Sequence, residues 1–141
     1  GAAMFGGVSG HAGLFSTAKD LAILMQTLLN GGSFGSVHLF RDSTVKKFVA
    51  YQSKSRRGFG FDKPERKSDG YPSKYASPAT FGHTGYTGTC VWVDPEQKLV
   101  YVFLSNRVNP SVSSKLINLK VREKIMDKFY EIINPAIFTP Q

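Results

Sequence analysis

Two apolar, β-rich runs, TCVWV (residues 89–93) and KLVYVFLS (98–105), are joined by DPEQ, a tetrad whose Asp94 and Pro95 suit a tight turn. They predict an antiparallel hairpin. The second run is apolar on both of its alternations, so both of its faces need a cover, and it is expected at the centre of its sheet. Whatever else the chain does, it has to supply the elements that bury this hairpin.

The remaining periodic segments are helical. Residues 16–32 (STAKDLAILMQTLLNGG) form the clearest helix. Thr17 caps it with Asp20 three residues on, Leu21, Leu24, Met25, Leu28 and Leu29 make an apolar stripe, and Asn30, Gly31 and Gly32 stop it. Residues 41–53 predict a shorter helix that starts at Asp42 or Ser43 and buries Val45, Phe48 and Val49. A closing helix over 113–133 carries Ile117, Val121, Ile125, Phe129, Ile132 and Ile133 on one face and is ended by Pro135.

Between them, residues 54–80 read as a long irregular connection, of a length that is usually functional or mobile. The fold class is therefore α+β, with a small antiparallel sheet packed by the C-terminal helix. One domain over 1–141 divides into helices (1–53), the connection (54–80) and the strands with their closing helix (81–134).

A length of 141 residues with 41% hydrophobic content allows one real core. The net charge of +8 raises the question of an acidic partner. Much of the excess sits in KSRRGFGFDKPERK (54–67), and Lys120, Lys124 and Lys128 recur at helical spacing. A basic loop and a solvated helix face account for this, and with no recognition motif beside the charge no nucleic-acid partner is expected. No apolar run reaches membrane-spanning length. The opening GAAMFGG, with no initiator Met and no signal peptide, is expected of a piece cut from a larger protein.

Cys90 is the only cysteine and lies in an apolar run, where a thiol is a small core residue. The histidines, His11, His38 and His83, are too far apart in sequence to read as a metal set, so neither metal nor cofactor is expected.

The chemistry is expected in FGHTGYTGT (81–89). At a Thr-Gly step on a strand edge, the missing side chain of Gly85 lets a substrate carbonyl approach the backbone. The N–H of Tyr86 can then point at a developing oxyanion. His83 adds a basic group just before it, and the Thr84 hydroxyl can hydrogen-bond a substrate carboxylate or carbonyl. The spacing is that of Lys-Thr-Gly with His for Lys.

Four ordered stretches, GGVSGHAGLFSTAKDLA, GFDKP, FGHTGYTGT and VWVDPEQKLVYVFLSNRVNP, resemble the C-terminal half of serine β-lactamase-like and penicillin-binding-protein-like hydrolase domains. More closely, they resemble the version that follows a family 3 glycoside hydrolase in some bacterial cell-envelope proteins. The resemblance runs from about Ala3 to the closing helix. It implies a partial β-lactamase-like fold, a helical lobe and an antiparallel sheet with the active site between them. It also implies an extracytoplasmic, bacterial setting.

In that family a serine of Ser-x-x-Lys attacks an acyl carbonyl, activated by its own lysine and by a Tyr or Ser of a second motif. His83, Thr84 and Gly85 match the third motif, with the Tyr86 N–H as second oxyanion donor, and Gly10, His11 and Gly13 match a loop near the cleft. Ser-x-x-Lys occurs at Ser16–Lys19 and Ser43–Lys46, but both fall after the place where the family's nucleophile belongs, and a helix cap is the usual work of such a serine. Neither Tyr-x-Asn nor Ser-x-Asn occurs.

The reading is thus a serine hydrolase fragment that supplies the substrate and oxyanion strand while the preceding part of the same domain supplies nucleophile and base. A β-lactam, an ester or a cell-wall peptide is the expected substrate. His83 in place of Lys weakens the case for penicillin, because a neutral imidazole holds a carboxylate less firmly than an ammonium. Two other readings are a non-catalytic lobe that binds a glycan or peptide, and a basic nucleic-acid module. An unpaired edge of the hairpin over 88–105 is expected to favour self-association.

Overall fold

The computed structural model describes residues 1–52, 56–65 and 70–137; Lys54, Arg66 and Lys67 of the expected basic loop lie outside these. In chain order the elements are α1 (Ala18–Leu29), the strands β1 (Ser33–Phe34) and β2 (Val37–His38), α2 (Asp42–Val49), β3 (Phe81–Thr84), β4 (Cys90–Asp94), β5 (Leu99–Phe103), α3 (Lys115–Asn118) and α4 (Val121–Ile133). Short 3-10 turns stand at Ala2–Phe5 and Pro135–Ile137. The fold is α+β, as expected, and is consistent with part of a β-lactamase-like fold. No helix of the described residues is long and apolar enough to cross a membrane.

The main sheet is antiparallel in the order β3-β4-β5. Trp92 stands opposite Tyr101 and Val93 opposite Val100, so side chains sort by alternation onto two faces. On one face Cys90, Trp92 and Tyr101 pack with Met126 and Tyr130 of α4. On the other, Phe81 and Val93 pack with Met25 of α1. Both faces of the hairpin are covered, as its double apolar alternation requires.

The central strand, however, is β4 and not the second run, because no strand among the described residues pairs with the far side of β5. A two-residue loop, Gly35-Ser36, also closes the small β1-β2 ribbon, whose strands of two residues are too short to leave an alternating pattern in the sequence.

The first helix begins as its cap dictates. The Thr17 hydroxyl accepts from the Asp20 N–H (3.2 Å) and donates to the Asp20 carboxylate (2.8 Å), which satisfies one of the free donors of the first turn. Helix α2 starts at Asp42 but ends at Val49, short of residue 53. It buries Val45, while Phe48 turns outward onto Phe59 with ring centroids 5.7 Å apart.

The closing helix departs more. It is broken at Lys120, which takes the left-handed conformation (φ 50°), so two helices stand where one was expected. The residues it buries are Arg122, Met126 and Tyr130, one position round from the expected face. Ile117, Ile125, Phe129, Ile132 and Ile133 are exposed in this chain. Helical periodicity shows that an apolar stripe exists, but which edge of it meets the sheet is set by Trp92 and Tyr101, far away in sequence. Lys120, Lys124 and Lys128 do form a solvated face.

The connection before β3 is irregular but tied down. Asp62 exchanges two backbone hydrogen bonds with Gly82 (2.7 and 3.0 Å), covering the first part of the outer edge of β3. Arg57 pairs with the Asp62 carboxylate. Lys63 is only 2% exposed. Its Nζ donates to the Ala79 carbonyl (2.8 Å) and lies 5.0 Å from the centre of the Tyr51 ring. Burial lowers its pKa to about 8, with the negative charge of Asp94 opposing the shift.

Candidate functional site

Strand β3 and the turn after it carry four of the residues singled out in the sequence. Gly85 N–H donates to the Thr89 carbonyl (2.8 Å) and Gly88 N–H to the Gly85 carbonyl (3.0 Å), which closes a turn over Gly85–Gly88. Gly88 has φ 95°, a conformation that only glycine adopts readily. A Cβ at Gly85 would lie 2.3 Å from the Thr89 hydroxyl, so the backbone is open to close approach there only because the residue is glycine.

Backbone groups along an antiparallel strand alternate between its two neighbours. Phe81, His83 and Gly85 face β4, opposite Val93, Val91 and Thr89, and Gly82 faces the other way, toward Asp62. Thr84 continues on the same side as Gly82, beyond the point where the Asp62 bridge stops, and Tyr86 follows as the second residue of the Gly85–Gly88 turn. Among the described residues the Tyr86 N–H has no acceptor. The strand therefore ends in a short stretch of uncovered edge at Thr84, and the Tyr86 N–H stands unpaired in the turn that follows it.

His83 and Thr84 leave the strand on opposite faces. His83 is exposed on the face shared with Phe81 and α1, and its Nδ1 donates to the Thr84 carbonyl at 2.7 Å. A carbonyl can only accept, so the ring carries its proton on Nδ1 and offers Nε2 as an acceptor; only the doubly protonated ring offers a donor there. The Thr84 side chain turns to the other face and reaches the Tyr71 phenol. Burial raises the pKa of Tyr71, Asp62 adds to the rise, and the bond from Thr84 opposes it. Tyr71 is held in turn by the edge of Trp92, ring centroids 5.5 Å apart at 88°. Hydroxyl and imidazole therefore do not converge; at this end of the strand stand the Thr84 carbonyl tied to His83 and, in the adjoining turn, the unpaired Tyr86 N–H.

Residues 10–13 stand apart. Gly13 packs against Ser9, where a Cβ would come within 2.3 Å of the Ser9 nitrogen, so the tight loop requires glycine there. His11 is exposed, its N–H accepted by Ser9 Oγ (3.2 Å) and its ring edge-on to Phe5 (6.4 Å). Among the described residues no hydrogen bond or ring contact joins Gly10, His11 or Gly13 to residues 83–86.

The two Ser-x-x-Lys spacings are likewise not assembled. Among the described residues Ser16 Oγ has one hydrogen bond, to the next residue's carbonyl (3.5 Å), and Lys46 pairs with Asp42 (2.6 Å). Cys90 is buried against α4, its thiol pushed up to about 12 by burial, which makes it a core residue with no nucleophilic character. No cluster among the described residues could hold a metal ion.

Three residues beside the strand were missed: Lys63, Tyr71 and Arg107. Each acts on β3 or its turn from 13 to 21 positions away, Lys63 on Phe81, Tyr71 on Thr84 and Arg107 on Tyr86, a separation at which the sequence gives no periodic or capping signal.

Comparison with known proteins bears on this arrangement. The profile of the Beta-lactamase family matches residues 1–124. A protein of Escherichia coli (strain K12) described as "Putative D-alanyl-D-alanine carboxypeptidase" is 47% identical over 111 residues, 77% of this chain and 25% of the relative. Proteins of the same description from Salmonella paratyphi B and Salmonella newport are each 43% identical over 119 residues, 82% of this chain and 27% of theirs. The chain thus spans about a quarter of the length of these curated relatives.

Proposed function

The chain belongs to the Beta-lactamase family, and on that premise we propose that it is the C-terminal part of a serine hydrolase domain acting on acyl groups of peptidoglycan type. The observation that carries this is the end of β3 and its turn, where among the described residues the Tyr86 N–H has no acceptor and follows directly on His83, Thr84 and Gly85. Such a donor stabilises negative charge on an acyl oxygen as it forms.

The reaction has two steps. A serine oxygen adds to the acyl carbonyl, the substrate's C–N or C–O bond breaks, and the departing amine or alcohol takes up a proton. Water then cleaves the acyl-serine ester, releasing the acid and restoring the hydroxyl. The serine and its base belong, in this proposal, to the part of the domain that precedes the chain, and neither Ser16 nor Ser43 is the nucleophile.

The same preceding part is proposed to cover what this chain leaves open: the outer edge of β5 and the Ile125, Ile132 and Ile133 side of α4. In its absence that edge is a template for self-association. The relatives' printed name favours a peptide ending in D-alanine over a β-lactam or an ester. A bacterial cell-envelope location follows from the same reading. A family 3 glycoside hydrolase ahead of the domain rests on the four resembling stretches alone.

The test is intact mass after exposure to a fluorophosphonate or a β-lactam. The longer protein should gain one acyl group on a serine upstream of this chain, and the chain alone should gain none. An adduct at Ser16 or Ser43 would overturn the division of labour. No adduct on the longer protein, with binding of a cell-wall peptide retained, would leave a non-catalytic binding lobe. In the active protein His83→Ala should lower kcat/KM, and unchanged kinetics would remove His83 from the mechanism.

A further inference from the structure

The Gly85–Gly88 turn is also held by the segment that follows β5. Arg107 N–H donates to the Thr87 carbonyl (3.0 Å), and Ser105 Oγ donates to the same oxygen (3.2 Å). Ser105 also fills the space beside Gly88, where a Cβ would come within 2.6 Å of its Oγ. The Arg107 guanidinium carbon lies 4.7 Å from the centre of the Tyr86 ring.

Arg107 is itself braced. Its carbonyl accepts from Ser113 N–H (2.8 Å) and its Nη1 donates to the Ser113 carbonyl (3.2 Å), so it closes both ends of loop 107–113. Its Nε is buried and has no acceptor among the described residues. The guanidinium is therefore fixed by the Ser113 carbonyl and by the aromatic face, and it cannot leave one without loosening the other.

We infer that Arg107 is a positioning residue for this site, holding the Tyr86 ring so that the Tyr86 N–H keeps its direction at the open end of β3. With the stack in place Tyr86 is still 71% exposed, and the turn beneath it is closed by two backbone bonds of its own. A cation on an aromatic face is a modest attraction but a directional one. Direction matters here, because a donor displaced by about 1 Å from a reacting oxygen can cost roughly 100-fold in rate.

This rests on the proposed acyl transfer, so its test carries one readout that depends on that reading and one that does not. In the longer protein, fluorophosphonate acylation is resolved into a binding constant and an acylation rate constant for wild type, Arg107→Ala and Arg107→Lys. Amide hydrogen exchange is followed in the same three proteins. Arg107→Ala should lower the acylation rate constant roughly 10- to 100-fold with little change in binding. Arg107→Lys, which keeps a cation over the ring but not the planar fork, should recover part of the loss. The Gly85 and Gly88 amides should exchange faster, with those of β4 and β5 unchanged.

Unchanged acylation, or exchange that rises across the whole sheet with no rescue by lysine, would overturn the assignment. If wild type takes no label, the acyl-transfer reading fails, and exchange at Gly85 and Gly88 alone decides for or against Arg107. Should Arg107→Ala not fold, Tyr86→Leu takes its place: an acylation loss like that expected of Arg107→Ala supports the inference, and wild-type rates reject it.

Discussion

At one end of the three-stranded sheet, hydrogen bonds converge on a single carboxylate. Asp94 is 0% exposed and accepts from Ser77 N–H (3.0 Å), Ser77 Oγ (2.7 Å), Tyr130 OH (2.6 Å), and the Glu96 and Gln97 N–H groups of its own turn. At the other end, the Gly85–Gly88 turn is closed by two backbone bonds, with the Arg107 segment against it and Tyr86 largely in solvent. The first end joins connection, hairpin and α4 into one unit, because an unpaired buried charge is too costly to leave. The second leaves a donor unused. A rigid anchor opposite a lightly held edge is how a small sheet can be stable and still present reactive backbone.

The largest effect expected from breaking this contrast is at the anchor. Asp94→Ala strips partners from Ser77, Tyr130 and the turn, and should destabilise the chain by about 3–5 kcal/mol. Urea unfolding followed by Trp92, the one tryptophan, measures it. Burial pushes the Asp94 pKa up, but the bonds from Ser77 and Tyr130 outweigh it, and the net is a pKa below the ordinary carboxylate value. Its stabilisation is therefore present above the unfolded pKa and is lost as pH falls through the lower folded value.

Two of the three glycines of β3 and its turn, Gly82 and Gly85, divide the same way. A Cβ at Gly82 would fall 2.1 Å from the Val91 carbonyl and 2.6 Å from the Trp92 ring, neither of which can yield, whereas at Gly85 it meets the end of the Thr89 side chain. Gly82→Ala should cost about 2–3 kcal/mol and Gly85→Ala about 1 kcal/mol or less. In the longer protein the order should invert for acylation by a fluorophosphonate, with Gly85→Ala the slower. Equal stability losses would mean that the site end is as rigid as the core.

Lys63 sharpens the comparison through pH. Its folded pKa of about 8 lies below the unfolded value of 10.5, so the unfolded chain holds more protons between the two. Its contribution to stability therefore rises with pH across that window, by on the order of 2–3 kcal/mol. Wild type should gain on Lys63→Met by that amount between pH 8 and 10.5, and parallel curves would show that the ammonium is solvated. The smallest effect belongs to the surface left open by this chain. Ile132→Ser, at a residue 71% exposed, should change its unfolding free energy by less than about 0.5 kcal/mol.

What could be read in advance was local. The Thr17 cap, the Asp94-Pro95 turn and the double alternation of KLVYVFLS each work within a few residues, and each is present in the fold. The glycines of the candidate strand were legible for the same reason, since a tight turn or a close approach is a property of one backbone position. The buried face of α4 was not. Nor was the opposition of His83 and Thr84 legible until a partner strand fixed the pleat.

The sequence by itself determined that this chain makes an α+β unit, with a hairpin that must be covered on both faces and a His-Thr-Gly step leading into a glycine turn. Only the tertiary structure decided that Asp62 stops one residue pair short of the strand's end, that Asp94 gathers donors up to 36 residues away, and that Arg107 lies on Tyr86. Propensity, capping and turn chemistry act over neighbouring residues and are written along the chain. A buried carboxylate, an uncovered strand edge and a cation on a ring depend on segments that meet only when the core forms.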